Sequence, residues 1–233
     1  MIRNVQTLAV LIFALLFLSQ ANAQSYQEGQ HYEAIEMPVR TASDTGVEVA
    51  EVFWYGCPHC YSFKPFVESW AETAPDYVNY VKIPATLGAS WQPHARAFYA
   101  VEAMGELDKV HDAFFEALAG ERRQLDSGEA LADFVAEHGV DAEAFLKNYN
   151  SFGVNARLQQ AHSKVRGARV TGTPTMLVAG KYRVTARMAG SHERFLMWST
   201  IWLRKKDRRA LLSRDATHVQ SHQKAAANYL KAL

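Results

Sequence analysis

The stretch Glu51-Val-Phe-Trp-Tyr-Gly56-Cys57-Pro58-His59-Cys60-Tyr61 restricts what this chain can fold into more than any other part of it. An apolar, aromatic, β-prone run stops at Gly56. A Cys-x-x-Cys with proline in its second position follows at once. That order predicts a buried strand, a tight turn and the first turn of a helix. Pro58 suits the first helical position, where its missing N–H costs nothing and its fixed φ already matches the helix. Cys57 then falls at the helix N-cap and Cys60 one turn on, close enough for the two sulfurs to bond. They are the only two cysteines in 233 residues, too few for a disulfide-stapled scaffold. The pattern is that of a dithiol/disulfide redox centre; a purely structural bridge would leave Pro58 and His59 without a reason.

Position decides the kind of centre. At a helix N-terminus, unpaired N–H groups and the positive end of the macrodipole favour an anion, so Cys57 is expected to ionise easily. His59 adds a donor or a positive charge beside the thiolate. Stabilising the thiolate stabilises the dithiol against its disulfide, and such a disulfide is an oxidant. Cys57 is therefore read as the exposed nucleophile and leaving group, and Cys60 as the inward-facing resolving thiol.

Cys57-Pro58-His59-Cys60-Tyr61 after a strand, with Thr173-Pro174 far downstream, resembles the DsbA family of bacterial periplasmic thiol:disulfide interchange proteins. The likeness covers residues 24–195 and weakens beyond. It implies an α/β thioredoxin-like fold, a mixed central sheet flanked by helices, with an inserted all-helical subdomain. It also implies a low thiol pKa, a strongly oxidising disulfide, a cis Pro174, and Thr173 presenting its backbone to an extended substrate. The family carries a buried acid six residues before the first cysteine. Glu51 stands there, either as a proton relay to Cys60 with a raised pKa or as a strand residue facing solvent. Re-oxidation by a quinone-linked membrane oxidase of the DsbB type is implied as well, with no metal or organic cofactor. Thr173 is a departure: oxidases of the family commonly carry valine before the proline, and Thr-Gly-Thr-Pro also occurs in periplasmic isomerases and reductases.

From its start, the chain shows Arg3, the apolar run 8–18 and then Ser19-Gln-Ala21-Asn-Ala23. This describes a secretory signal peptide cut after Ala23, its apolar core too short to span a bilayer. Export is expected to place the protein where disulfides persist, and the resemblance implies that this compartment is the periplasm. Removing Arg3 with the signal leaves 24 basic against 24 acidic residues, which gives no electrostatic reason to bind nucleic acid. With 48% hydrophobic residues, the chain can bury a proper core.

The expected organisation is a signal peptide (1–23), a first thioredoxin-like part (24–86), a helical insertion (87–166), a second thioredoxin-like part (167–203) and a basic, polar tail (204–233). Strands are predicted at 32–35, 47–55, 78–83 and 175–178, the last joined by a Gly180-Lys181 hairpin to 182–184. A helix is predicted over 57–74, with Phe63, Phe66, Val67 and Trp70 on its apolar face and a kink at Pro65. Further helices are predicted at 92–104, 107–118, 127–138, 141–149 and 152–165, with Asp126 and Asp141 as N-caps. Lys82 is read either as a second charged group near the disulfide or, by preference, as a solvated strand lysine. Ser191 is expected to cap a last helix, whose run 195–203 is apolar on nearly every face. His218-x-x-x-His222 satisfies a zinc-like local spacing with Cys57-x-x-Cys60, but some 160 residues separate the halves, and a pair held in one helical turn suits a disulfide better.

The function expected is donation of the Cys57–Cys60 disulfide to exported proteins with free thiols, by a monomer with no recognisable dimerisation module. Residues around Trp54, Trp91 and Pro174 are expected to give unfolded chains a shallow apolar surface. Two alternatives stand beside it: a disulfide isomerase or reductase on the same fold, and a peptide-binding chaperone with an incidental cysteine pair.

Overall fold

The structure is a computed structural model of the 233-residue chain, and it describes residues 27–42, 45–191 and 195–196. The expected signal peptide, residues 43 and 44 of the turn before the central strand, residues 197–203 of the apolar run, the basic tail and His218 and His222 lie outside the described residues.

Among the described residues five strands form one sheet: β1 (Glu33–Ala34), β2 (Val47–Phe53), β3 (Val78–Pro84), β4 (Thr175–Val178) and β5 (Tyr182–Thr185), in the order β1-β5-β4-β2-β3. β2 runs parallel to β3 and antiparallel to β4, and the β4–β5 and β5–β1 pairs are antiparallel, so the sheet is mixed. Every residue of β2 is buried, which is why this strand reads as a near-continuous apolar run rather than an alternation.

Alternation sorts its side chains between two cores. Val47 and Val49 pack with Phe63 and Val67 of helix α1 (Pro58–Glu72), with Met176, Val178 and Val184, and with Phe195. Ala50 and Val52 point the other way, into a core shared with Leu177 and five helices that connect β3 to β4. Those are α2 (Gln92–Ala103), α3 (Leu107–Phe115), α4 (Gly128–Glu137), α5 (Ala142–Tyr149) and α6 (Phe152–Gly167). The stripe Val154, Leu158, Ala161 and Val165 faces that core as its spacing predicts. A short helix, α7 (Ala186–Ala189), follows β5.

Local expectations fail where tertiary context or turn chemistry intervenes. Phe66, expected on the apolar face of α1, is exposed. α3 does not stay α-helical to residue 118 but passes into a π turn, Glu116–Gly120. Ser127, not Asp126, caps α4, its side chain accepting from Ala130 N–H at 3.1 Å; Asp141 caps α5 as expected, accepting from Ala144 N–H at 2.7 Å. The β4–β5 turn is centred one residue early, on Ala179 and Gly180, both at positive φ. A Cβ at Gly180 would meet the Val39 carbonyl oxygen at 2.1 Å, so only glycine fits there.

One buried ion pair ties sheet to insertion. Glu48 points into the insertion side of the sheet, where Lys164 of α6 reaches it at 2.6 Å and Ala42 N–H donates to its second oxygen at 2.5 Å. The described residues contain no helix long and apolar enough to cross a membrane.

Candidate active site

The predicted strand–turn–helix delivers the cysteines as its order requires. β2 ends at Phe53, the N–H of Cys57 closes a turn onto the Trp54 carbonyl at 3.0 Å, and Cys57 takes extended backbone angles at the N-cap with Pro58 at the first helical position. No side chain caps this helix start; the Cys57 sulfur occupies that place. Burial separates the pair: Cys60 is fully enclosed and Cys57 is 7% exposed. Cys57, the predicted nucleophile, is thus exposed only at its rim, while Pro58 and His59 are open to solvent.

The electrostatics follow from the geometry. The Cys57 thiol is lowered to about 5, first by a hydrogen bond from the Cys60 thiol, then by Thr173 and by the backbone amides of Cys60 and His59, against the opposing effect of burial. Cys60 goes the other way, pushed far up by burial and by its neighbour's charge. Two thiols one helical turn apart are therefore split into one that ionises and one that stays protonated.

The Thr173–Pro174 peptide is cis, and it sets the Thr173 carbonyl against Cys57, which donates to it at 3.4 Å. Thr175 Oγ1 donates to the Gly172 carbonyl at 2.8 Å and closes the loop that carries them. Residues 116 positions apart in sequence thus meet at one sulfur.

Glu51 is buried, on the α1 side of β2. Burial raises its carboxyl to about 7, while a hydrogen bond from the Tyr80 hydroxyl and the nearby charge of Lys82 pull the other way. Lys82 stands beside Glu51 in register, is half-buried, and holds its ammonium 5.3 Å from the centre of the Tyr80 ring. Glu51 bonds to Tyr80 and not directly to Cys60.

Two histidines that the sequence did not single out flank the turn before Cys57. Trp54 Nε1–H donates to His94 Nδ1 at 3.0 Å, and the Tyr55 hydroxyl shares a 2.7 Å hydrogen bond with His111 Nδ1. Trp91 stacks on Trp54, with ring centroids 4.3 Å apart and planes 3° from parallel. The histidines lie on α2 and α3, and no local motif marks them; only burial of their helix faces would have. Among the described residues there is no group of three or more His, Cys, Asp or Glu placed to hold a metal ion.

A thiol pair on a thioredoxin-like sheet, split in acidity and faced by a cis-proline loop, defines a thiol:disulfide oxidoreductase. Comparison with known proteins bears this out. A DSBA-like thioredoxin domain model matches residues 78–196. The thiol:disulfide interchange protein DsbA of Pseudomonas aeruginosa is 41% identical over 204 residues, covering 88% of this chain and 97% of that protein. DsbA of Azotobacter vinelandii is 38% identical over 193 residues, 81% of this chain and 90% of its own. The crystal structure of P. aeruginosa DsbA superposes with a TM-score of 0.77 at 41% identity, over 81% of this chain and 98% of that one. The chain belongs to the DsbA family.

Proposed function

We propose that the protein works in the periplasm as a dithiol oxidase, donating a Cys57–Cys60 disulfide to exported proteins as they fold. In the first step a substrate thiolate attacks Cys57 Sγ. The Cys57–Cys60 bond breaks, a mixed disulfide forms, and Cys60 departs as a thiol that has gained one proton. A second substrate thiolate then attacks the substrate sulfur of the mixed disulfide, and Cys57 leaves as a thiolate. The substrate has lost two electrons to the pair.

Each residue has a stated part. Cys57 accepts attack and leaves readily because the amides at the helix start hold its charge. Pro58 sets the first helical turn and His59 presents its amide to the sulfur. Glu51, whose carboxyl sits near neutrality, supplies the proton that Cys60 needs; with no direct contact between them, that proton passes by way of water. Thr173 and Pro174 offer backbone to an extended substrate segment beside the sulfur. Re-oxidation falls to a quinone-linked membrane oxidase of the DsbB type, and the reaction needs no metal or organic cofactor. In this division, residues 24–86 and 167–203 build the thioredoxin-like domain and residues 87–166 the helical insertion.

The observation that carries the direction of transfer is the lowered Cys57 thiol beside the raised Cys60 thiol. Equilibrating the purified protein with glutathione buffers tests it. An oxidase is reduced readily by glutathione, whereas a disulfide as hard to reduce as that of thioredoxin would mark a reductase and end the proposal. Cys57→Ser separates the chaperone alternative: thiol oxidation should vanish, and a chaperone would go on binding unfolded chains.

A further inference from the structure

We propose that His94 and His111, both supplied by the helical insertion, are positioning residues for Cys57, acting through the two aromatic side chains at the start of its turn. This goes beyond the direction of transfer and does not depend on it.

The turn closes from Cys57 N–H to the Trp54 carbonyl, so whatever fixes residues 54 and 55 fixes where the sulfur enters the helix. Trp54 is fixed on three sides. Its indole N–H donates to His94 Nδ1. The Leu125 carbonyl accepts but cannot donate, so His94 Nε2 carries the proton and gives it to that oxygen at 3.1 Å. The imidazole is therefore neutral in one tautomer, bridging the turn to the loop before α4. The Trp54 ring lies flat against Trp91 on one side. It also covers Gly56, where a Cβ would come within 2.5 Å of the ring carbon Cζ2. With the ring in this pose only glycine fits beneath it.

Tyr55 is fixed separately. The residue is 1% exposed and its hydroxyl bonds, among the described residues, to His111, which is 6% exposed and boxed in by the rings of Phe53, Phe98 and Phe115. Burying an indole N–H or a phenol without a partner is costly, so each histidine selects a single rotamer for its aromatic. Consecutive residues before the nucleophile are thus anchored to consecutive helices of the insertion. Neither imidazole touches sulfur. Their effect reaches it as a fixed distance between Cys57 Sγ and the amides of His59 and Cys60.

The test uses the full-length processed protein and three readouts: the Cys57 titration, the equilibrium constant with glutathione, and the melting temperature. His94→Phe strands the indole N–H, and Tyr55→Phe deletes one oxygen from the other pair. Each should make the protein a weaker oxidant by about fivefold in that constant, roughly one net hydrogen bond, or about 20 mV. Each should also move the Cys57 titration upward. His94→Gln, which keeps an acceptor and a donor, should recover most of the loss. Leu131→Ala, in the fully buried core of the same insertion, should lower the melting temperature and leave both redox readouts where they were. Should His94→Phe not fold, Tyr55→Phe decides. The proposal falls if the folded variants leave titration and equilibrium constant unchanged, or if Leu131→Ala moves them as much.

Discussion

Raising the pH from 4 to 8 perturbs the redox pair in a way the site geometry makes quantitative. Reducing the disulfide adds two electrons. Below the Cys57 pKa of about 5 it also adds two protons, and the potential should fall by about 59 mV per pH unit. Above that pKa the Cys57 product stays a thiolate while Cys60, pushed far up, still takes its proton. Only one proton then accompanies two electrons, and the slope should halve to about 30 mV per unit. A thiol with the ordinary value of 9.0 would keep the steeper slope through neutrality. Two pH units at the shallower slope leave the protein about 60 mV more oxidising at pH 7 than with an unperturbed thiol, or about 2.7 kcal/mol. Water at the rim of Cys57 screens part of this, so about 30–60 mV should be seen. The assay equilibrates the protein with glutathione buffers across the range and counts trapped thiols, with thiolate absorbance at 240 nm followed in parallel. A single slope near 59 mV per unit up to pH 8 would refute the assignment of a stabilised Cys57 thiolate.

Further outcomes follow from other contacts. Cys60→Ala removes the largest influence holding the Cys57 thiol down, so its absorbance titration should move to higher pH. Glu51→Gln should slow the first half-reaction, by about a hundredfold or less, and abolish any inflection near pH 7 in stopped-flow rates with a model dithiol. Lys164→Met leaves Glu48 charged and enclosed; about 3 kcal/mol of stability should go, lowering the melting temperature by roughly 10 °C in calorimetry. His111 has its pKa lowered to about 3 by burial and by the charges of Lys82 and Lys64. The unfolded chain therefore binds its proton first, and the stability present above pH 6.5 is lost as pH falls toward 3. Between pH 7.5 and 4.5 the urea-derived stability should drop by about 2.7 kcal/mol more in the parent than in His111→Phe.

The chemistry of this protein is written in a few adjacent residues. A strand that is apolar throughout, a glycine, and a proline at the first helical position fix where Cys57 and Cys60 sit, because hydrophobic burial, turn geometry and helix-start constraints all act within a dozen residues. The same local physics marks the helices of the insertion and the apolar stripe of α6. It marks their ends less well: whether Ser127 or Asp126 caps α4, or where α3 gives way to a π turn, depends on packing rather than on propensity. Long-range partners lay beyond it altogether. That Thr173 faces Cys57, that Glu51 is enclosed rather than solvated, and that Lys164 meets Glu48 are consequences of sheet order and helix placement. A histidine on a helix gives no sign of its role until the fold brings a buried indole N–H or a phenol within reach. Sequence alone singled out the two sulfurs as the candidate reacting atoms; the tertiary structure decided what holds them, because a buried polar group is satisfied by whichever side chain packing sets beside it.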